Sequence, residues 1–300
     1  MKIAYLVSIY KNPRLVKRTL EFLACDEATF FVHVDKKADI KQFDSLRREK
    51  VIFTDQRVAV YWAEYSFVEA QLVLLRQALA APEHFDYFVL FGGSEFPLRS
   101  AKYIHHFFEQ NRGGEFITSV KMPAPGKPIS RVNTLRYPST RPVLRFIFRA
   151  LAKFGLGQRD YRKHLGKLDP YSGNTWWALS REACQYIVDF MDRDQCLGKF
   201  LRNTHVPDEC IFHTILGNSP FQARVRRNLF FEEWRSPAAH PEMINAQHLD
   251  YFEAQGKVLA NDLHGPGELL FARKFSDETY PLVERLEAIV RKKENLLSAS

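Results

Sequence analysis

Two adjacent carboxylates, Asp208 and Glu209, follow Pro207 and precede apolar residues at helical spacing. Because proline is well tolerated in the first turn of a helix, we expect the pair at a helix N-terminus. There the unpaired backbone N–H groups and the helix dipole favour the ionised form of a carboxyl group. An ionised carboxylate can accept a proton from a hydroxyl group, so this pair could supply a general base. Ordinary charge complementation at a helix terminus is the alternative interpretation.

The bulk composition describes a large folded chain with excess positive charge. Its 300 residues are 46% hydrophobic and 14% aromatic, with 25 phenylalanines, which is ample material for a packed core. Lys and Arg number 43 against 35 acidic residues, so the formal net charge is +8. Such a balance favours anionic partners, namely nucleotides, phosphorylated substrates, nucleic acid or an acidic membrane surface. Composition does not choose among them.

The cysteines and the apolar segments bear on the compartment. Cys25, Cys184, Cys196 and Cys210 are widely spaced and form no C-x-x-C pair. We therefore expect buried, reduced thiols in the cytosol rather than a disulfide framework or a thiolate zinc site. The N-terminal apolar run is too short for a signal peptide, and no window approaches the roughly 20 apolar residues that span a bilayer. A soluble protein, or one resting on a membrane, is expected.

Strands alternate with helices through residue 110, which predicts an α/β fold with a mostly parallel sheet and helices on both faces. The predicted strands are 3–10, 29–35, 51–55 and 87–91, and the predicted helices follow Asn12-Pro13, a Ser66-x-x-Glu69 capping box and Ser100. In such sheets ligands bind at the carboxyl ends of the strands. Asp35 and the turn 92–98, which contains Glu95, both fall there.

The pattern changes after residue 120. Residues 121–170 break the alternation, and we expect them to form an insertion in a single domain spanning 1–300. We expect this insertion on the side where a second substrate, the acceptor, would bind. Within it, 141–157 is basic and apolar and could form a short cationic helix lying on an anionic membrane leaflet. Alternatively, that helix packs on the domain with its charges in water. A strand with Trp176-Trp177, a helix after Ser180 and a last helix from about Tyr280 complete the prediction.

Several common signatures of nucleotide, metal and hydrolase sites are missing. G-x-G-x-x-G after the first strand, G-x-x-x-x-G-K-[ST], H-E-x-x-H and G-x-S-x-G do not occur. His33-x-Asp35 and His205-x-x-Asp208 have no further ligands at convincing spacing. The place where a nucleotide-sugar enzyme would hold a divalent ion with D-x-D contains Gly93-Ser94-Glu95. No metal site is therefore expected.

Six short motifs occur in order between residues 3 and 280. They are His33-Val-Asp35-Lys36-Lys37, Trp62 followed by Ser66-x-Val68-x-Ala70, Gly93-Ser-Glu-Phe-Pro-Leu98, Gly173-x-x-Trp176, Pro207-Asp208-Glu209 and Phe271-Ala-Arg-Lys-Phe275. Together they resemble the core-2/I-branching N-acetylglucosaminyltransferase family, which also contains the peptide O-xylosyltransferases. One such motif alone is weak, but six in sequence are specific.

The resemblance implies a GT-A-type, Rossmann-like glycosyltransferase fold, a UDP-sugar donor, inversion at the anomeric carbon and independence from divalent metal. It also implies that Asp35 contacts the uridine, that Glu209 is the general base and that Lys274 binds the diphosphate. Arg273 matches the subset of the family with an arginine before that lysine. Arg235 is the candidate for a further, upstream diphosphate-binding arginine.

Three more residues are expected to contact the sugar or the acceptor. The family usually has Asp where this chain has Glu95, Asp208 neighbours the base, and Trp176 or Trp177 could stack on a sugar ring. Alternatively, the tryptophan is a core residue that does not contact the sugar. The disulfides of the animal enzymes are not matched by the four scattered cysteines, which suits a cytosolic, bacterial-type member.

The chemistry of an inverting transfer fits these residue types independently of the resemblance. The acceptor hydroxyl attacks the sugar carbon as the nucleotide diphosphate leaves, through a transition state that resembles an oxocarbenium ion. A base within hydrogen-bond reach of the hydroxyl contributes about 10²–10⁴ in rate. Without a metal, fixed Arg and Lys side chains must stabilise the departing diphosphate.

We therefore expect an inverting, metal-independent glycosyltransferase with UDP-N-acetylglucosamine as donor, UDP-xylose being the alternative. The acceptor is a hydroxyl of a glycan or of a lipid-linked saccharide, and the location is the cytoplasm or the inner face of the plasma membrane. A non-catalytic carbohydrate- or nucleotide-binding domain on the same scaffold is the second interpretation. Nucleic-acid binding has only charge in its favour, since no recognition motif occurs, and is not expected.

Overall fold

The computed structural model describes residues 1–154, 156–235 and 240–298. The strands are β1 (Ile3–Ile9), β2 (Ala28–Val34), β3 (Val51–Phe53), β4 (Tyr87–Phe91), β5 (Glu95–Pro97), β6 (Glu115–Lys121), β7 (Tyr171–Ser180), β8 (Val225–Arg226), β9 (Phe230–Phe231), β10 (Leu259–Asp262), β11 (Gly265–Glu268) and β12 (Phe271–Arg273). The α-helices are α1 (Pro13–Leu23), α2 (Ser66–Ala80), α3 (Ala101–Gln110), α4 (Ser130–Asn133), α5 (Pro142–Lys153), α6 (Arg162–Leu165), α7 (Arg181–Arg193), α8 (Gln195–Leu201), α9 (Ile211–Gly217), α10 (Ala246–Ala254) and α11 (Tyr280–Ser298). Short 3₁₀ helices cover Ile40–Leu46, Pro207–Glu209, Pro220–Arg224 and Asp277–Thr279.

The central sheet of the described chain has seven strands in the order β3-β2-β1-β4-β7-β6-β8. β1 pairs in parallel with both β2 and β4, β2 with β3, and β6 with β8. β7 alone is antiparallel to its neighbours, β4 and β6. The mostly parallel sheet expected from the sequence is thereby confirmed.

Helices cover both faces of this sheet. On one face the ring of Tyr5 stacks on Phe30 at 5.2 Å and meets Phe91 edge-on at 5.8 Å, beneath apolar residues of α1. On the other face Trp177 meets Phe212 of α9 edge-on at 6.0 Å, and α7 packs between α9 and α2. The predicted α/β fold class is therefore confirmed.

A second apolar cluster joins a small sheet to the last two helices. That sheet has the order β5-β12-β9, with β12 antiparallel to β5 and parallel to β9. Side chains from α10, α11 and the residues after β12 pack against it. The register places Arg273 opposite Glu95, two residues that are far apart in the sequence.

Helix starts agree with the sequence in part. The predicted capping box at Ser66 is wrong, because Ser66 is already the first residue of α2 and its hydroxyl accepts from a backbone N–H in the preceding loop. Asn12 precedes α1 in a left-handed conformation and does not cap it with its side chain. Its amide instead donates to the carbonyl of Gly93 at 2.8 Å, which ties the turn after β1 to the turn after β4. The caps predicted at Ser100 and Ser180 are confirmed.

Within the segment 121–170, residue 121 ends β6, and residues 122–170 separate β6 from β7 and contain α4, α5 and α6. The helix predicted within 141–157 is confirmed as α5. Some of the residues that suggested it lie outside the described part, either as side chains or entirely: Arg145, Arg149, Leu151, Lys153 and Gly155. That this segment shapes the acceptor side of a single domain stays a prediction.

Among the described helices, none combines the length and the apolar character needed to cross a membrane. All four cysteines are free thiols. Cys184 and Cys210 are buried as expected, whereas Cys25 is half-buried and Cys196 is exposed. The expectation of buried thiols is therefore correct for two of them and wrong for Cys196.

Candidate active site

The carboxyl ends of the parallel strands form one edge of the central sheet, and most of the predicted site residues lie along it. Asp35 follows β2, the turn 92–94 follows β4, and the antiparallel β7 begins at this edge with residues 171–175. From β2 to β7 the strand order crosses three inter-strand spacings, or about 14 Å. This edge is long enough for an extended ligand.

At the β2 end, the Asp35 carboxylate is buried and fixed. Its Oδ1 accepts from the backbone N–H of Lys37 at 2.8 Å, and its Oδ2 pairs with the Lys37 amine at 2.9 Å. The Arg57 guanidinium donates to the backbone carbonyl of Asp35 at 2.8 Å. The Lys37 amine also lies 4.3 Å from the centre of the Tyr61 ring, so a charged and an aromatic surface adjoin there.

At the other end of the edge, Glu209 sits just before α9. Its Oε2 accepts from Lys127 Nζ at 2.8 Å and from Arg131 Nη1 at 2.6 Å. Burial alone would raise the pKa of the Glu209 carboxyl, but these two cations outweigh burial and hold its pKa below the usual range. Among the described residues, none donates a hydrogen bond to Oε1. Glu209 is therefore an anion with one oxygen occupied and the other available.

Its neighbour Asp208 is in the opposite electrostatic situation. Its side chain is covered, and Oδ2 accepts from the Thr175 hydroxyl at 2.6 Å. Burial raises the pKa of Asp208 to about 6, and the negative charge of Glu209 adds to the rise. The pKa values of these two adjacent carboxyl groups are thus shifted in opposite directions, a feature that often accompanies different roles in acid–base catalysis.

The backbone just before this pair is strained. Val206 has φ 47°, a left-handed conformation that is unusual for a β-branched residue and costs roughly 1–3 kcal/mol. Its N–H donates at 3.2 Å to the carbonyl of Ala63, which is itself left-handed at φ 60°. The contact fixes the loop that carries the exposed Trp62 against the Pro207 turn.

Gly173 in β7 allows the insertion to reach Glu209. A Cβ at this position would lie 1.5 Å from the carbonyl oxygen of Thr118, so only glycine fits against β6. The β6–β7 register shifts beside it, and the Lys127 amine donates to the Gly173 carbonyl as well as to Glu209. The Gly173-x-x-Trp176 motif therefore has a packing role as well as any contact with ligand.

In the small sheet, Arg273 is enclosed by acidic and aromatic groups. Its Nε donates to Glu95 Oε1 at 2.9 Å and its Nη1 to Glu232 Oε1 at 2.8 Å. The guanidinium also stacks on the buried Trp176, 4.5 Å from the ring centre. The second oxygen of Glu95 accepts from the backbone N–H groups of Gly92 and Ser94. The Glu95 carboxylate is 0% exposed and positions Arg273 and the turn, and its predicted contact with the sugar stays a prediction.

Lys274 and Arg235 complete the predicted donor-binding set. The Lys274 amine is half-buried, with no acidic partner at ion-pair distance among the described residues. Burial lowers the pKa of Lys274 to about 8, and the nearby cations Arg273 and Lys11 add to the shift. Arg235 is 63% exposed and only loosely paired with Glu233 and Glu242, at 3.9 and 3.8 Å. It directly precedes residues 236–239, which lie outside the described part.

The structure therefore brings the predicted residues together in two groups, while Asp35 lies at the β2 end of the edge. One group is Asp208 and Glu209, and the other is Glu95, Trp176, Arg273 and Lys274. Each group has partners that the sequence did not single out. The additional side chains are Lys127, Arg131 and Thr175 beside the carboxylates, and Lys11 and Glu232 beside Lys274 and Arg273. Nothing in the sequence selects Lys127, because it lies in a Pro-rich stretch without helical or strand periodicity. Lys11 resembles an ordinary exposed lysine at the end of a strand. The position of Lys11 directly after a predicted parallel strand was the one available signal.

One group of possible metal ligands occurs in the described part of the chain. Cys25, Glu27 and His105 place one ligand atom each within 4.8 Å of one another. They lie where β2 begins, at the edge of the sheet opposite to Asp35 and Glu209. This group therefore has no part in the site described above.

The family profile described as Core-2/I-Branching enzyme matches residues 3–254. This match covers most of the chain, and the chain belongs to that family, as the six motifs predicted. Together with the sheet topology, the membership confirms a GT-A-type, Rossmann-like domain of a glycosyltransferase family. Asp35, Asp208 and Glu209 fall within the matched range, whereas Arg273 and Lys274 follow it.

Curated relatives are similar at low identity. Xylosyltransferase 2 of Rattus norvegicus is 25% identical over 258 residues, covering 78% of this chain and 27% of the relative. Xylosyltransferase oxt of Drosophila melanogaster is 24% identical over 245 residues, covering 78% and 26%. Xylosyltransferase sqv-6 of Caenorhabditis elegans is 21% identical over 231 residues, covering 74% and 27%. The chain spans about a quarter of the length of these relatives.

Among solved structures, a 4-diphosphocytidyl-2C-methyl-D-erythritol synthase from Anaerococcus prevotii matches with a TM-score of 0.31 and 11% identity, covering 68% of this chain and 84% of that chain. A glucose-1-phosphate thymidylyltransferase from Bacillus anthracis, named as putative, matches with a TM-score of 0.31 and 12% identity, covering 67% and 83%.

Proposed function

We propose that this chain is an inverting, metal-independent glycosyltransferase that moves a sugar from a UDP-sugar to a hydroxyl of a glycan or lipid-linked saccharide. The observation that carries the proposal is the state of Glu209. Two cations hold its carboxyl group ionised by binding one oxygen, while the other oxygen has no donor among the described residues. An anionic oxygen without a donor, at the ligand edge of the sheet, can accept a proton from a bound hydroxyl group.

In the proposed reaction the acceptor oxygen forms a bond to the anomeric carbon while the bond from that carbon to the UDP oxygen breaks. The hydroxyl proton passes to Glu209 Oε1, and the electron pair of the broken bond leaves on the diphosphate. The lowered pKa of Glu209 keeps its carboxyl group ionised, so that it can accept this proton. Asp208 has a pKa nearer neutrality, but its covered carboxylate is committed to Thr175. We therefore assign it a supporting role beside the acceptor.

The leaving diphosphate needs positive charge at the other end of the site. We assign this to Lys274, with Lys11 and the exposed Arg235 as further cations, since Lys274 has no acidic partner among the described residues. Arg273 acts indirectly, because Glu95 and Glu232 already neutralise it. Electrostatic stabilisation of a leaving group is commonly the largest single contribution to such a reaction.

The uridine belongs at the β2 end of the same edge in this proposal. Asp35 and the adjoining Tyr61 ring offer a hydrogen-bond acceptor and a stacking surface to a base. The sugar then extends past the turn 92–94 toward Glu209. The exposed Trp62, beside the Pro207 turn, is better placed than the buried Trp176 to stack on a saccharide.

Two donors are in competition. UDP-N-acetylglucosamine follows from the motifs that resemble the branching enzymes, whereas UDP-xylose is favoured by the names of the curated relatives. Four free thiols fit a reducing compartment such as the cytoplasm, in which we place the reaction. The acceptor and its linkage depend on residues 121–170, whose Lys127 and Arg131 reach the base.

A panel of UDP-sugars with excess EDTA tests the donor and the metal independence together, because selective binding raises the melting temperature. UDP release with and without saccharide acceptors then tests turnover. We expect Glu209→Gln to lower turnover by about 10²–10⁴ while UDP affinity changes less than about twofold. Glu284→Gln, at an exposed glutamate on α11, is the matched control and should leave both unchanged.

Three results would count against the proposal. Unchanged turnover in Glu209→Gln would remove the assigned base. Loss of UDP-sugar binding in EDTA would remove the metal independence. UDP-sugar binding with no UDP release under any condition would identify a non-catalytic nucleotide-sugar-binding domain instead.

A further inference from the structure

The positive charge of this chain is concentrated in one segment. Residues 121–170 contain 12 Lys and Arg and two Asp, a net charge of +10. The whole chain has a net charge of +8, so the other 250 residues together have a charge of −2. Several of these basic side chains are exposed: Arg136, Arg141, Arg162, Lys163 and Lys167. The basic character of the protein is thus a property of the insertion between β6 and β7.

The same segment presents an apolar helix face to solvent. In α5, Val143 and Phe146 are 70% and 75% exposed, and Ile147 is 43% exposed. Ala150 is exposed one turn later, so these positions recur at the spacing of a single helical face. The face continues past the helix to Phe154, which is 80% exposed. Large apolar side chains aligned on one outer face are not the scattered exposure that any protein surface shows.

Another side of α5 packs against its own segment, unlike the exposed stripe. Phe148 packs against the ring of Tyr137 at 4.7 Å. The backbone N–H of Leu135 donates to the carbonyl of Gly157 at 2.9 Å, which closes the two ends of the α5 region on each other. The apolar stripe is therefore exposed to solvent, and these contacts do not cover it.

From these observations we propose that the outer face of α5 binds the surface of an anionic lipid bilayer. A short helix with an apolar face flanked by Lys and Arg lies in the plane of the interface, with its apolar side chains below the headgroups. Nearby cations add electrostatic attraction to an anionic leaflet. Binding of nucleic acid would use the positive charge but leave the apolar stripe in water. The apolar stripe therefore favours a lipid surface over nucleic acid as the partner.

The docking face is connected to the proposed catalytic base through the same insertion. Lys127 and Arg131 of this segment contact Glu209. Two further links lie beyond them, from the Arg136 N–H to the Asn203 carbonyl at 2.8 Å and from the Ser139 N–H to Glu64 at 2.6 Å. A docked α5 would hold Glu209 near the bilayer surface, where a lipid-linked saccharide presents its hydroxyl groups. This last step rests on the proposed function, whereas the binding of lipid does not.

Vesicle flotation with the full chain tests the proposal directly. We expect the protein to float with vesicles of phosphatidylglycerol and phosphatidylcholine, to bind pure phosphatidylcholine at least tenfold less, and to lose binding as salt shortens the screening length. Phe146→Glu should weaken binding to the anionic vesicles at least tenfold. Leu259→Glu, at another exposed apolar residue on the β10–β11 hairpin, is the matched control and should bind like the unaltered protein.

The outcomes separate the proposal from its competitors. Absence of flotation with anionic vesicles would overturn it, as would equal losses in Phe146→Glu and Leu259→Glu. Lipid-free dimerisation that Phe146→Glu abolishes would assign the stripe to a second copy of this chain and would also overturn it. Flotation needs no turnover, so the protein can bind vesicles even if it releases no UDP, and it can release UDP even if it binds no vesicles. Failure of one proposal is therefore distinguishable from failure of the other. Activity on a lipid-linked acceptor that rises on anionic vesicles would support the connection to Glu209.

Discussion

Glu209 and Arg273 lie in opposite electrostatic arrangements at the same edge of the molecule. At Glu209 one carboxylate is held by two cations, Lys127 and Arg131. At Arg273 one guanidinium is held by two carboxylates, Glu95 and Glu232. The first group has a net positive charge and leaves an anionic oxygen available. The second has a net negative charge before Lys274 is counted, and its central cation is enclosed.

The difference indicates which charges can act on a ligand. An enclosed ion pair has already lost its hydration, so its charges are spent on each other. In the proposed function, Arg273 therefore stabilises the small sheet and the turn 92–94, and the neighbouring Lys274 binds the anionic ligand. Glu209 keeps one oxygen for a ligand because both of its partners bind the same atom, Oε2. The three predictions that follow test this contrast, beginning with the largest expected effect.

Arg273→Met should lower the free energy of unfolding more than it lowers the affinity for UDP. Removing the guanidinium leaves Glu95 and Glu232 buried without their shared partner, which costs about 3–5 kcal/mol of unfolding free energy. Urea denaturation measures this loss. Arg285→Met, which breaks exposed pairs with Asp250 and Glu253, is the control and should cost less than about 1 kcal/mol. A loss at Arg273 as small as at Arg285 would show that the enclosed cluster is not structural.

Lys274→Met should have the reverse pattern, with stability kept and UDP affinity reduced by about 10–100-fold, as expected for a lost hydrogen bond to a charged group. The pKa of Lys274 is lowered to about 8, so its amine loses its charge as the pH rises through that value. UDP affinity should therefore fall between about pH 7 and 9 in the unaltered protein. Lys274→Arg should remove that fall because arginine stays charged.

Calorimetric titration of UDP at several pH values measures both effects. Lys292→Met, at an exposed lysine on α11, is the matched control. If Lys274→Met bound UDP normally while Arg273→Met bound it weakly in a folded state, the assignments of the two side chains would be exchanged.

The contrast between the two groups also explains what the sequence could predict. Asp35 and the turn with Glu95 were placed correctly because parallel strands always end at a shared edge. The position of Glu209 near the start of a helix was predicted from Pro207 and from the helical spacing that follows, both of which are local features of the sequence. The Arg273–Glu95 contact joins residues 178 positions apart through the pairing of two three-residue strands, which no local pattern encodes.

Two errors have the same physical origin. Ser66 has the residue type of a cap but is the first residue of its helix, which begins one position earlier than the pattern predicts, and its hydroxyl accepts from a backbone N–H of the preceding loop. The partners of Glu209 come from a loop whose position depends on the absence of a side chain at Gly173. Tertiary contacts of this kind override local propensity, and they decide which charges are enclosed.

Lys127→Met should move the pH dependence of turnover without removing it. Lys127 and Arg131 lower the pKa of Glu209, so loss of one cation should raise that pKa and shift the acidic limb of kcat/KM upward by about one pH unit. The direction follows because the base must be ionised to act. Lys121→Met, whose amine pairs with Asp169 in the same insertion, is the matched control and should leave the limb in place. An unshifted limb in Lys127→Met, in a variant that still turns over, would mean that the group titrating in the profile is not Glu209 but another carboxyl, of which Asp208 is the nearest.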